Sequence, residues 1–277
     1  MTTIPAELKK IYREGRLIPF IGAGVSVSIE WLRDGIRLRG LSWKELVDEA
    51  IRQLGFEDPA LARVRGTDLQ ILEYYQIRNL QFGRLNNWFV KTMNAPDEAL
   101  KNSRIFNEIA KMANCHLFYT TNFDDFLERG LELNARKCNV LATEMDMGRV
   151  CADTEVVKFH GDINNPETMV LSESQYEKRL AFQTVMDFRL RSDLLGRAVL
   201  FIGYSFRDPN VSYLFRLINE QFGEMPSSLS GRRAYIVAPD PSQFEISLFN
   251  KRNIEVIPIS GHDLTTSTVD VLAAIRN

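Results

Sequence analysis

Cysteine is scarce: the 277 residues contain three, Cys115, Cys138 and Cys151, an odd number with no Cys-x-x-Cys pair. There is no disulfide framework to read from these positions. The opening stretch MTTIPAELKKIYREG also lacks the apolar centre of a signal peptide, so the expected compartment is reducing cytoplasm. Glycine and proline number 16 and 10, too few for a collagen-like or low-complexity chain. The longest apolar run, around Ala198 to Tyr204, falls far short of the roughly 18 residues that signal a membrane span. Neither sign of charge is in excess: 34 Lys and Arg stand against 36 Asp and Glu. Without a broad positive field, direct binding to nucleic acid is not expected. What remains, 45% hydrophobic and 25% charged residues, is the composition of an ordinary globular chain.

Short apolar runs rich in Ile, Val, Phe and Leu recur at about 17 to 21, 116 to 121, 138 to 142, 155 to 159, 198 to 202, 233 to 238 and 254 to 258. Most are followed by sequence with helical periodicity, which predicts an α/β fold around a parallel sheet. Runs such as LFYTT and AVLFIG have no polar face, as expected for strands covered by helices on both sides. From about 42 to 113 the pattern gives helices and no strand, an inserted helical subdomain within one domain spanning 1–277. Ser42 with Glu45, and Thr67 with Gln70, read as capping boxes; Gly55 and Gly83 read as helix stops.

Four strand ends carry candidate chemistry. At the first, Gly22-Ala23-Gly24-Val25-Ser26 lets backbone approach an anion and presents successive amides to a phosphate; the competing reading is a glycine turn needed for packing. The loop fails as a dinucleotide fingerprint, since Val27 stands where the third glycine belongs and no acidic residue ends a second strand about 20 residues on. At the second, Asn122 and Asp124 in Thr120-Thr121-Asn122-Phe123-Asp124-Asp125 could orient a ribose or water and bind a carboxamide, or could simply cap the following helix. At the third, His160 in Lys158-Phe159-His160-Gly161-Asp162 is the histidine best placed for proton transfer; His116 and His262 read as structural. At the fourth, Gly203 and Ser205 would face a ligand ahead of a helix capped by Asp208 with Pro209 at its first position, or form an ordinary turn.

All four fall at the carboxyl ends of strands, the edge of an open parallel sheet where ligands bind. The chain has no Gly-Lys-Ser/Thr of a phosphate loop, no Gly-x-Ser-x-Gly elbow and no His-Glu-x-x-His. In this order GAGVS, TTNFD, HG and GYS resemble the signature of the sirtuin (silent information regulator) family, across nearly the whole chain. The resemblance implies a Rossmann-like NAD-binding domain with a smaller module. By motif match it makes Asn122 and His160 the catalytic asparagine and histidine, and Asp124 the acid near the nicotinamide carboxamide. Gly22, Ala23, Gly24 and Ser26 become phosphate-binding positions, and Gly203 and Ser205 a further NAD contact.

The sequence departs from protein-deacylating sirtuins in two places. No cysteine follows Cys151, so the four-cysteine zinc module after the catalytic histidine is absent and no zinc is expected. Thr121 stands where deacylases usually have glutamine. With HGDINNP and GYSFRDPN, this looks more like the bacterial branch that hydrolyses NAD in antiphage defence. At the adenine-ribose end Asp240 is offered as a hydroxyl acceptor in place of the family's usual asparagine. The resemblance thus implies an NAD+ glycohydrolase that uses NAD+ as substrate and needs no other cofactor. The alternatives are a zinc-free NAD-dependent deacylase or ADP-ribosyltransferase, and a non-catalytic module binding NAD or ADP-ribose. It also implies a homo-oligomer and a regulatory companion such as a ring-forming ATPase or an Argonaute-type protein.

Overall fold

The computed structural model describes residues 3–148, 153–180, 184–205 and 234–277. Seven strands form one parallel sheet: β1 (Leu17–Ile21), β4 (Leu117–Thr120), β5 (Asn139–Leu141), β6 (Glu155–Lys158), β7 (Ala198–Ile202), β8 (Ala234–Pro239) and β9 (Ile254–Ile259). Their spatial order is β5-β6-β4-β1-β7-β8-β9. From β1 the chain crosses to β4, goes on to β5 at the edge, fills the gap between them with β6, and returns to lay β7 on the other side of β1. That reversal opens a crevice at the carboxyl ends of β1 and β7, the place where open α/β sheets bind ligands. Each predicted apolar run became a strand.

The absence of a polar face in these runs has the expected cause. Successive residues of β1 enter two different hydrophobic clusters, Leu17 and Ile21 on one face and Ile18 and Phe20 on the other. β7 does the same, with Ala198, Leu200 and Ile202 opposed to Val199 and Phe201. Helices Ala6–Arg13, Phe126–Leu133 and Leu264–Arg276 cover the first face, while Val185–Leu194 and Gln243–Lys251 cover the second.

Between the first two sheet strands lies a hairpin that the strand pattern did not predict: β2 (Glu30–Arg33) paired with β3 (Ile36–Arg39). Its turn residues Asp34 and Gly35 both have positive φ, 53° and 76°, as a two-residue hairpin of this hand requires. Helices then occupy Trp43–Gln53, Pro59–Arg65, Asp68–Asn79, Gly83–Thr92, Asp97–Lys101 and Arg104–Ala110. Both capping boxes form, with Ser42 and Thr67 accepting from the amides of Glu45 and Gln70 and the longer side chains reaching back. Gly55 follows the end of its helix at φ 88°. Gly83 does not stop a helix but opens one; the preceding helix ends at Leu80, which takes the left-handed conformation usually left to glycine. The apolar faces of these helices join the same cluster as β1, through Leu46, Val47, Leu72, Tyr75 and Phe89. No helix among the described residues is long and apolar enough to cross a membrane. The predicted cap Asp208 and Pro209, and Cys151, lie outside the described residues.

Candidate active site

Two turns meet at the crevice between β1 and β7, and their contact explains three glycines. The amides of Gly22 and Gly24 donate to the carbonyls of Ile202 and Gly203, each at 2.8 Å. A Cβ on Gly22 or Gly24 would stand 2.7 Å and 2.9 Å from Gly203 backbone atoms. Gly203 itself has φ 76°, and a Cβ there would stand 2.7 Å from the amide nitrogen of Val25. The packing reading of the glycine loop is therefore correct as far as it goes. The amides of Gly22, Gly24 and Val25 are committed to carbonyls, and the small residues let two strand-end turns interlock.

Outside this junction lies a cleft of about 910 Å³, within the range of roughly 300–1,000 Å³ typical of small-molecule sites. Ala23, Gly24, Gly203, Tyr204 and Ser205 form its floor at the strand ends. Trp43, Lys44, Arg63 and Asp68 from the helical segment form one wall, and His262, Asp263 and Thr265 another. A smaller pocket of about 40 Å³ adjoins it, lined by Thr121, Asn122, Phe123 and Asp124 and sharing Ala23, Ser42 and Trp43 with the larger cleft.

The structure joins three of the predicted residues in one buried hydrogen-bonded cluster. Ser26 Oγ donates to the Asp124 carboxylate at 2.9 and 3.1 Å and accepts from Asn122 Nδ2 at 3.1 Å. Asn122 caps no helix; its side chain points to Ser26 instead. Asp124 also makes a local bond, its Oδ1 accepting from the amide of Phe126 at 3.2 Å, one residue after the N-cap Asp125. Burial pushes the Asp124 carboxyl above the usual carboxylate range, against the pull of Lys158, Ser26 and the Phe126 amide. Thr121 hydrogen-bonds the Tyr204 hydroxyl at 2.9 Å, linking this turn to the GYS turn, and Tyr204 donates to the carbonyl of Ile21 at 3.1 Å.

His160 sits on the neighbouring turn, after β6. The amide of Phe159 donates to the Thr120 carbonyl at 2.8 Å, and that of Ile163 to the Phe123 carbonyl at 2.7 Å, so the two turns are stitched together on both sides of the histidine. The imidazole is 1% exposed, lies against the ring of Phe159 and meets Tyr176 edge-on, with Tyr176 Oη 3.5 Å from Nδ1. Burial, aided by the charge of Arg179, holds its pKa well below the ordinary imidazole value. It is therefore neutral at physiological pH.

The predicted residues separate into three groups. Ala23, Gly24, Gly203 and Ser205 line the large cleft, and Asn122 and Asp124 the small pocket. Gly22, Ser26 and His160 stand in the turns that shape these two openings and line neither of them. Asp240 stands apart: it is exposed, with φ 39°, and the cleft wall beside it is made by Pro239 and the 262–265 segment. Sequence reasoning missed Arg63, saw Trp43 and Asp68 only as residues within the two capping boxes, and read His262 as structural although it lines the cleft. Among the described residues no cluster of His, Cys, Asp and Glu is arranged to hold a metal ion.

Comparison with known proteins adds an independent line. A family model described as a SIR2-like domain matches residues 116–257, a span holding Asn122, Asp124, His160, Gly203 and Ser205. The chain is 26% identical over 217 residues to the NAD(+) hydrolase ThsA of Bacillus cereus (strain MSX-D12), covering 77% of this chain and 42% of that protein. It is 27% identical over 220 residues to the ThsA of Cytobacillus dafuensis, covering 79% and 41%. With defense-associated sirtuin 2 of Bacillus subtilis it shares 23% identity over 250 residues, covering 86% of this chain and 22% of that protein. The chain thus spans about two-fifths or less of the length of these relatives.

Proposed function

The chain belongs to the SIR2-like family, and from that premise we propose that it is an NAD+ glycohydrolase, cleaving NAD+ to nicotinamide and ADP-ribose. The observation that carries this reading is the buried Ser26–Asn122–Asp124 cluster, whose Asn122 and Asp124 line a small pocket beside a cleft of dinucleotide scale. The likeness to proteins named NAD(+) hydrolase supports it.

In the proposed reaction the bond between the nicotinamide nitrogen and C1′ of its ribose breaks. The electron pair leaves with nicotinamide, which becomes neutral, and C1′ is left electron-poor. Water adds to C1′ and gives up a proton, completing ADP-ribose. The barrier falls most if the scissile bond and the water are held in line, away from competing solvent. Ala23 and Gly24, with Gly203 and Ser205 opposite, line the part of the cleft that takes the diphosphate, and Gly22 and Ser26 shape that turn from behind. Asp124 positions the carboxamide or the ribose by accepting a hydrogen bond from it. Asn122 orients the water or the ribose, and neutral His160 accepts a proton from the water or binds a ribose hydroxyl. None of these roles uses a metal ion.

The biological role we propose is depletion of NAD+ in antiphage defence within the cytoplasm, a reading supported by the likeness to a defense-associated sirtuin. Unchecked hydrolysis would injure the host cell, so the activity is held off by homo-oligomerisation or by a partner such as a ring-forming ATPase or an Argonaute-type protein. The test is chromatography of products after incubation with NAD+ and no acceptor, with His160→Ala alongside. Nicotinamide and ADP-ribose from the wild type alone are expected. Nicotinamide release that depends on an added acyl-lysine peptide would replace hydrolysis with transfer.

A further inference from the structure

Lys158 ends β6 with 0% of its surface exposed. Its ammonium lies 3.1 and 2.7 Å from the carbonyls of Phe123 and Asp124, 2.8 Å from Glu128 Oε1 and 3.0 Å from Asp162 Oδ1. An ammonium has three N–H groups, so four acceptors converge on three donors. Burying this charge is costly, and well-packed apolar residues in place of a buried ion cluster often stabilise a fold equally well or better. Stability alone is therefore a poor reason for a lysine here.

Its partners point to another role. The two carbonyls belong to the residues directly after Asn122, in the stretch where β4 has ended and the helix Phe126–Leu133 has not begun. The two carboxylates tie the ammonium to that helix and to the far side of the His160 turn; Lys158 and Asp162 bracket His160 two residues away on either side. Glu128 Oε2 is buried with no partner among the described residues, and burial raises its carboxyl to about 7. Lys158 is the cation that offsets the buried charge of this cluster, first among the groups that pull the Glu128 carboxyl back down.

We propose that Lys158 is a positioning residue that clamps the turn carrying Asn122 and Asp124 against the turn carrying His160. It touches no substrate, since it reaches neither the cleft nor the small pocket. It sets the spacing between groups whose misplacement by about 1 Å can cost on the order of a hundredfold in rate. The kinetic part of this inference rests on the proposed NAD+ cleavage; the clamp itself does not.

The test uses Lys158→Met, which keeps an unbranched side chain without the charge, and Lys158→Met/Glu128→Leu, which also removes the carboxylate stranded by the first change. Expected in the folded double variant is kcat lowered by about a hundredfold with KM for NAD+ close to that of the wild type. Amide hydrogen exchange should quicken at residues 121–126 while the helix Leu264–Arg276 keeps its protection. A folded double variant with wild-type kcat per folded molecule, or with unchanged exchange at 121–126, would overturn the clamp. If the wild type itself releases no nicotinamide, the kinetic comparison carries no information and the exchange measurement alone decides the clamp.

Discussion

The two halves of the site are held in different ways. At the β1–β7 end, the short helix Ala23–Val27, with Gly22 at its N-cap, and Gly203 meet backbone to backbone, with no room for a Cβ on Gly22, Gly24 or Gly203. At the β4–β6 end, the turns of Asn122 and His160 are held by buried polar side chains, Ser26, Asp124, Lys158 and Glu128 among them. The first half is specified by volume; the second adds buried charge and side-chain hydrogen bonds to the backbone bonds that already join its turns. Steric changes should therefore break one half and isosteric chemical changes the other.

The largest effect is expected in the polar half, where Asn122→Ala and His160→Ala should each lower nicotinamide release by about a hundredfold or more. Both variants should still unfold cooperatively on heating; full activity in either would remove that residue from the mechanism. In the steric half, Gly203→Ala should cost about 2–3 kcal/mol in denaturant unfolding, from a left-handed backbone and a clash with Val25 together. Gly55→Ala is its control: φ is also positive, 88°, but nothing lies within 4 Å of the added methyl. It should cost about 1 kcal/mol. Equal costs would mean that the interlock of the two turns contributes nothing.

Ser26→Ala tests the contact between the halves, because the serine sits on the glycine-loop side and bonds Asn122 and Asp124 on the other. Losing the bridge should cost about 1–3 kcal/mol and lower turnover about tenfold. Kinetics and a urea titration on the same preparation check both.

Acid should expose the opposed titrations of the polar half. His160 titrates well below its ordinary value when folded. As pH falls through about 6.5 the unfolded chain binds a proton that the folded chain refuses, and stability drops. Glu128, raised to about 7, does the reverse. The folded chain protonates it first, so stability rises as pH falls from about 7 toward the ordinary carboxylate range. Glu128→Gln should consequently make the urea midpoint fall more steeply between about pH 7.5 and about pH 5.5. An unchanged slope would show that Glu128 does not titrate there. The smallest effect belongs to the adenine-ribose end: His262→Ala, in the cleft wall, should raise KM for NAD+ more than Asp240→Ala, which lies outside it. The opposite order would restore Asp240 to the site.

Much of this architecture was legible before any coordinates. Apolar runs without a polar face mark strands covered on both sides, because any polar side chain there would lose its water, and the capping boxes at Ser42 and Thr67 are local hydrogen-bond patterns. The β2–β3 hairpin had a local signal as well, Asp34-Gly35, but its strands are short and mostly exposed and make no apolar run. Gly83 was misread because glycine serves both ends of a helix, and Leu80 took the left-handed stop that composition assigned to glycine. His262, Trp43 and Arg63 were invisible as site residues since each is an ordinary residue of its own helix or loop until the cleft brings them together. Lys158 was seen only as a neighbour of His160; in sequence nothing distinguishes a lysine at an exposed strand end from one sealed inside.

By itself the sequence determined the elements and the strand end on which each candidate group stands, because periodicity, capping and turn chemistry act over a few residues. The tertiary structure alone decided which of those ends touch. Ser26 and Asn122 are 96 residues apart along the chain and 3.1 Å apart in space. Hydrogen bonds act over about 3 Å, so strand order, rather than any local pattern, placed Ser26 beside Asn122 and Asp124 and sealed Lys158 behind them.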